Sequence, residues 1–297
     1  MAKTRFRSDR GLTARMGAVG FGLGALYVVF GVVLINYTGA AFGVVIVVGM
    51  AWGQWYFSDK LALRSIGGRE VTPEQAPELH GMVDRLCALA DMPKPRVAVA
   101  DIDMPNAFAT GRSPSHAVIC VTTGIMQRLD AEELEGVLSH ELAHVANRDV
   151  SVMTVASSLG LLAGFITRWG MFFGGGRNRN NNSGPGFLVV FLVSIVVYAI
   201  SFLLTRTLSR YRELSADRCG AYLTGKPSKL SSALVKISGD MARIPNRDLR
   251  QAEGLNAFFF APAINRESIG ALMSTHPPLE KRLDQLARVS ADLSEQA

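Results

Sequence analysis

DAEELEGVLSHELAHVAN, residues 130–147, reads as one amphipathic helix that announces its own start. Asp130 is a good N-cap, Glu133 three residues on completes a capping box, and Leu129 ahead of the cap can staple onto Leu134. Within it, His140-Glu141-Leu142-Ala143-His144 sets two imidazoles four residues apart. Both then project from one helix face, at a separation suited to a single metal ion. Glu141 adjoins that face, where a carboxylate can take a proton from water attacking a metal-polarised carbonyl. Two of the chain's five histidines stand here, which weighs against a chance match.

A catalytic metal of this kind wants a third protein ligand and one open position. The best candidate is Glu213, in the helical stretch Arg210-Tyr211-Arg212-Glu213-Leu214-Ser215-Ala216-Asp217, where Glu213 and Asp217 share a face. Asp217 can accept the second ring N–H of a ligating histidine and so orient it. On spacing alone, an exposed surface pattern partnered by Arg212 and Arg218 would account for the pair. The first motif's demand for a third ligand tips the balance.

Upstream of this helix, Pro73 to Ala90 is amphipathic, with Leu79, Met82, Val83, Leu86 and Leu89 at helical spacing. Three short candidate strands follow at Arg96–Ala100, Asn106–Thr110 and Ala117–Thr123, separated by Gly, Pro and Asp turn signals. A small antiparallel sheet is the economical arrangement. Downstream, helices are expected at 208–223, 228–242 and 277–289, while 251–274 has no readable register.

The rest is apolar. Nearly half of the 297 residues are hydrophobic, 48%, and only 19% are charged. Four stretches approach the roughly 20 residues that cross a bilayer as a helix: 16–35, 39–57, 150–173 and 186–205. Arg168 interrupts the third. The fourth runs without a breaker into 208–223, so one helix can leave the membrane and continue. Lys3, Arg5, Arg7, Arg10 and Arg15 precede the first span and Lys60, Arg64 and Arg69 follow the second, which places the N-terminus in the cytoplasm. Such a pair of spans is a retained hairpin rather than a cleaved signal. Five of the charges behind the net +6 belong to this N-terminal cluster, and no nucleic-acid motif accompanies them. Cys87, Cys120 and Cys219, odd in number and far apart, read as reduced packing residues. His80 and His116 lack a paired ligand, and Phe258, Phe259 and Phe260 read as core.

Taken in order, these segments resemble the HtpX-type heat-shock membrane metalloproteases, relatives of the CAAX prenyl proteases. The likeness rests on Asn106-Ala107-Phe108-Ala109-Thr110-Gly111, Thr122-Thr123-Gly124, the HELAH helix with Asn147-Arg148-Asp149, Arg212-Glu213 with Ala216-Asp217, and Thr275-His276-Pro277-Pro278. It implies a gluzincin-type α+β domain on a mainly helical membrane protein with about four spans. It also implies one zinc ion per chain on His140, His144 and Glu213, with Asp217, Asn147 and Asp149 supporting the ligands. His276 and Arg282 look like the pair that lies by the cleft and supports substrate carbonyls or the oxyanion. Asn106, Ala107, Phe108, Ala109 and Thr110 look like the edge strand on which a peptide backbone pairs, whatever its side chains.

The implied activity is endoproteolysis of damaged membrane proteins, at an active site facing the cytoplasm from the inner membrane. The chain then divides into a basic tail with a first hairpin (1–58), the first part of the protease domain (59–149), a second hairpin (150–207) and the rest of the protease domain (208–297). Arg177 and Arg179 in the 174–184 connection run mildly against full crossing of the second hairpin. A protease with the motif inside the bilayer is excluded by the charge around it, since Glu132, Glu133, Glu135, Arg148 and Asp149 are costly in hydrocarbon. The spans also lack the ionisable residues of a transport pathway. A catalytically silent, zinc-containing adaptor that binds clients on the same strand is the competing reading. Loss of Glu141 would be its mark, and Glu141 is present.

Overall fold

The computed structural model describes residues 9–38, 55–148, 185–243 and 277–296, with positions 45, 48, 49, 52 and 53. The chain divides into two compact units, Thr13–Phe57 with Ser151–Leu208, and Met1–Leu12 with Ser58–Val150 and Ser209–Ala297.

In the first unit, α1 (Arg10–Thr38) packs Leu23 and Phe30 against Val197 of α6 (Pro185–Thr224). Arg10–Val33 and Val189–Thr224 are long and apolar enough to cross a bilayer, with mean hydropathies of 2.0 and 2.3. Only 17% and 22% of their most apolar windows are buried. Phe21, Val28, Leu192 and Leu203 face outward, an exposure of large apolar side chains that lipid tolerates and water does not. The expected span 150–173 and the 174–184 connection lie outside the described residues, as does most of 39–57. As its unbroken apolar-to-polar pattern foretells, α6 is continuous over its 40 residues.

The second unit holds α2 (Ser58–Ser65), β1 (Arg69–Glu70), α3 (Pro77–Ala90), β2 (Arg96–Ala100), β3 (Ala107–Thr110), β4 (Val118–Thr122), α4 (Thr123–Arg128), α5 (Ala131–Ala146), α7 (Pro227–Arg243) and α8 (Leu279–Glu295). The expected antiparallel sheet is instead mixed. Its order is β1-β2-β4-β3, and β2 and β4 run parallel with Val97 beside Ile119 and Ala98 beside Cys120. The physical reason is a skipped place. β3 leaves room beside β2, and β4, reversing again from β3, fills it in the direction of β2. All five β4 residues are buried, as a central strand requires. β1 is two residues long, too short to leave an alternating pattern. α3 starts later than its apolar spacing implies because Pro73–Ala76 forms a turn on the Thr72 carbonyl, and Pro77 then opens the helix without needing an N–H donor.

The core lies between sheet and helices. Leu79, Val83 and Leu86 of α3 meet Val97, Ile119 and Val121 of the sheet, and Val137, Leu138 and Leu142 of α5 meet Leu230, Leu234 and Ile237 of α7. Cys87, Cys120 and Cys219 are buried and unbridged. Burial pushes the first two thiols up to about 11 and about 12, so they pack and do not react. His80 is buried with Nε2 3.0 Å from the Val71 carbonyl, and exposed His116 is bonded locally to Ser113 and Ser115. Phe258, Phe259 and Phe260 lie outside the described residues.

Two features set α5 in place. The capping box is formed, with the Glu133 N–H donating to Asp130 Oδ1 at 2.8 Å and the Asp130 N–H to Glu133 Oε2 at 2.9 Å. The same buried Glu133 accepts from Ser232 and Lys236 of α7, so the start of α5 is locked in position and angle. Further along, Gly220 of α6 allows a close approach: a Cβ there would lie 2.8 Å from Ser139 Oγ and 2.9 Å from the His140 backbone nitrogen. Gly220→Ala is therefore expected to force α6 off α5 and destabilise the protein by about 1–3 kcal/mol, the range for overpacking a filled core. Thermal unfolding of the detergent-solubilised variant measures this, and an unchanged Tm would contradict so tight a contact.

Candidate active site

The two-histidine face of α5 and the polar part of α6 meet in the buried centre of the second unit. His140 is 1% exposed, His144 6% and Glu213 4%. His140 Nε2 stands 3.1 Å from His144 Nε2 and 3.6 Å from Glu213 Oε2, and His144 Nε2 lies 3.5 Å from Glu213 Oε1. All three donor atoms fall within 4.8 Å of one another. A tetrahedral zinc with bonds near 2.0–2.1 Å sets its ligand atoms about 3.3 Å apart. Two imidazoles and a carboxylate converging at that spacing fit zinc in both distance and donor chemistry.

The ring of His140 is fixed from behind. Its Nδ1 lies 2.8 Å from Asp217 Oδ1, and Asp217, wholly buried, is held from the other side by Arg282, whose Nε and Nη2 each donate at 2.7 Å. Burial pushes the Asp217 carboxyl up, but Arg282 and then His140 outweigh it and hold the group below its ordinary range. An ionised Asp217 accepts a hydrogen bond from the Nδ1–H, which leaves Nε2 as the nitrogen that faces Glu213 and the metal position. For His140 itself burial acts downward, yet Asp217 prevails and raises the metal-free imidazole to about 9. Arg282 is 2% exposed and touches this support, so α8 adds a third helix to the construction. Gln285, a turn later on α8, also donates to the Leu214 carbonyl of α6.

Glu141 is 5% exposed, and burial raises its carboxyl above the ordinary range. Its Oε2 accepts from the Ala109 backbone N–H at 2.9 Å. That amide is free to do so because Phe108 faces Cys120 across the ladder while Ala109 turns its N–H away from β4. β3 is the last strand in the sheet order, so among the described residues its outer edge carries no further strand. Asn106 lies buried just before β3, bonded through its backbone to Thr122, and Phe108 packs inward with Val118 and Cys120. Asn147 caps the C-terminus of α5 and lies beside Cys219. Asp149 and His276 lie outside the described residues.

Sequence reading did not find the Ala109 amide, because a backbone donor has no signature of its own. Nor did it find the grip of Arg282 on Asp217, which joins residues 65 positions apart. Gly220 was legible in principle, as a glycine inside a helix that carries a ligand.

Fold and site together define a class, the metallopeptidases in which a two-histidine helix and a glutamate helix share one metal. The chain belongs to peptidase family M48, whose family model matches residues 73–290. It is 55% identical to "Protease HtpX homolog 1" of Streptomyces coelicolor over 99% of this chain and 97% of that one. It is also 55% identical to "Protease HtpX homolog" of Moorella thermoacetica, over 97% of each. The crystal structure of S. mikatae Ste24p shares the fold, with a TM-score of 0.54 at 18% identity, covering 89% of this chain and 62% of that one. The chain is thus a zinc-dependent metalloprotease of HtpX type and an integral membrane protein, acting on peptide or protein substrates.

Proposed function

We propose that this protease cleaves misfolded or damaged membrane proteins at the inner membrane, with its N-terminus and active site in the cytoplasm. The N-terminal basic cluster supports the orientation, and the likeness to HtpX homologues supports the HtpX-type role. The proposed division keeps a first hairpin in 1–58, a second in 150–207, and one protease domain made from 59–149 and 208–297. Four membrane spans belong to the same proposal.

The observation that carries the chemistry is the convergence of His140, His144 and Glu213 with Glu141 beside them and β3 alongside. Bound zinc supplies Lewis acidity, polarising the scissile carbonyl and lowering the pKa of water. His140, His144 and Glu213 hold the ion. Glu141, buried and anchored on Ala109, takes a proton from the attacking water and returns it to the leaving amine. Asn106–Thr110 holds the peptide as an added strand, which fixes its backbone within reach of Glu141. Asp217 keeps His140 in its binding tautomer, and Asn147 and Asp149 support the ligands. Arg282 steadies His140 through Asp217, and with His276 it keeps the carbonyl-supporting role that the resemblance implies.

The test uses the detergent-purified full chain and an unfolded protein substrate. The expected result is one zinc per chain, cleavage, loss of cleavage on chelation and recovery when zinc returns. Undiminished cleavage by zinc-free protein would refute the mechanism. Zinc held firmly with no cleavage of several unfolded substrates would favour the adaptor.

A further inference from the structure

We infer that Asp9 is a positioning residue for the metal centre: the carboxylate that opens α1 also grips the outer face of the α6 segment that carries Glu213. The inference rests on the reading of Glu213 as a zinc ligand. Asp9 is only 6% exposed, rare for a carboxylate. Its Oδ1 accepts the Leu12 N–H at 3.0 Å, the N-cap bond of α1. Its Oδ2 accepts from Ser215 Oγ at 2.7 Å and from Arg218 Nη2 at 2.6 Å. Ser215 lies 206 residues away in the chain, so the contact is purely tertiary.

Helix geometry gives the contact its meaning. At about 100° per residue, Glu213, Asp217 and Gly220 lie on one side of α6, and Ser215 and Arg218 on the opposite side. The inner side is pressed on α5, with Asp217 bonded to His140 and Gly220 against the His140 backbone. The outer side is held by Asp9, one residue on from Asp217 and two on from Glu213. This part of α6 is thus clamped between the motif helix and a buried charge. Releasing the outer jaw lets Glu213 move away from His140 and His144, which loosens the ion without altering any ligand.

Zinc release to a chromophoric chelator, measured on detergent-purified full-length protein loaded with zinc alone, tests this. Asp9→Ala is expected to release zinc about tenfold faster than wild type, the lower end of what removing a ligand's support does. Ser215→Ala removes one donor and should give a smaller acceleration, and it serves if Asp9→Ala fails to fold. Arg218→Asp should also accelerate release, and combining it with Asp9→Arg should return the rate to within about twofold of wild type. The reciprocal pair restores the grip on α6 but not the cap of α1, so a role confined to starting α1 predicts no rescue. Asp292→Ala, which removes an exposed partner of Tyr222 on the same helix, should change nothing. Equal release rates in wild type, Asp9→Ala and Ser215→Ala would overturn the inference, as would a double variant no slower than Arg218→Asp. A wild-type chain that retains no zinc would instead overturn the metal assignment beneath it.

Discussion

Glu141→Gln should keep one zinc per chain and lose peptide hydrolysis by about 10²–10⁴-fold, the usual worth of a positioned general base. The substitution is nearly isosteric, and the side-chain oxygen of Gln can still accept the Ala109 N–H that now meets Glu141 Oε2. None of the three groups that converge on the metal position is altered. What disappears is the ability to take a proton from water. Loss in kcat with substrate binding retained is therefore the expected pattern, since the pairing proposed on β3 would hold a peptide by backbone groups. Metal analysis beside steady-state cleavage of an unfolded protein measures both quantities. Wild-type turnover in Glu141→Gln would remove Glu141 from the mechanism.

The second large effect is expected at Glu213. Glu213→Ala leaves only the His140 and His144 imidazoles, and zinc affinity should fall by more than about 100-fold. Residues that merely orient ligands are already worth about 10–100-fold. Activity should fall with occupancy and recover in part at high zinc, which separates it from Glu141→Gln, where added zinc restores nothing. The fold should survive, because the core around α5 and α7 does not include Glu213. Chelator competition measures the affinity. Unchanged zinc affinity would move the third ligand elsewhere.

Much of the architecture is local and was therefore legible. The capping box fixes the start of α5 within four residues, and the apolar spacing of α3 shows which face is buried. The unbroken stretch from 186 to 223 already describes α6, whose observed bounds are Pro185–Thr224. Sheet topology was not legible, because a strand's alternation marks its faces and not its neighbours. β4 could pair on either side of β2, and only the fit of all four strands beneath α3 and α5 put it between β2 and β3.

The candidate site divides along the same line. By itself the sequence determined the i, i+4 imidazole pair and the carboxylate between them, since a helix's geometry follows from spacing alone. It also determined that Glu213 and Asp217 share a helix face. Tertiary structure alone decided that this face meets His140, that Arg282 arrives from α8 to hold Asp217, that a β3 amide holds Glu141, and that Asp9 closes on the outer side of α6. Each of these contacts joins residues 32 or more apart in the chain, and no local pattern encodes such a pairing. It exists only once burial of the core has fixed where the helices and the sheet edge lie.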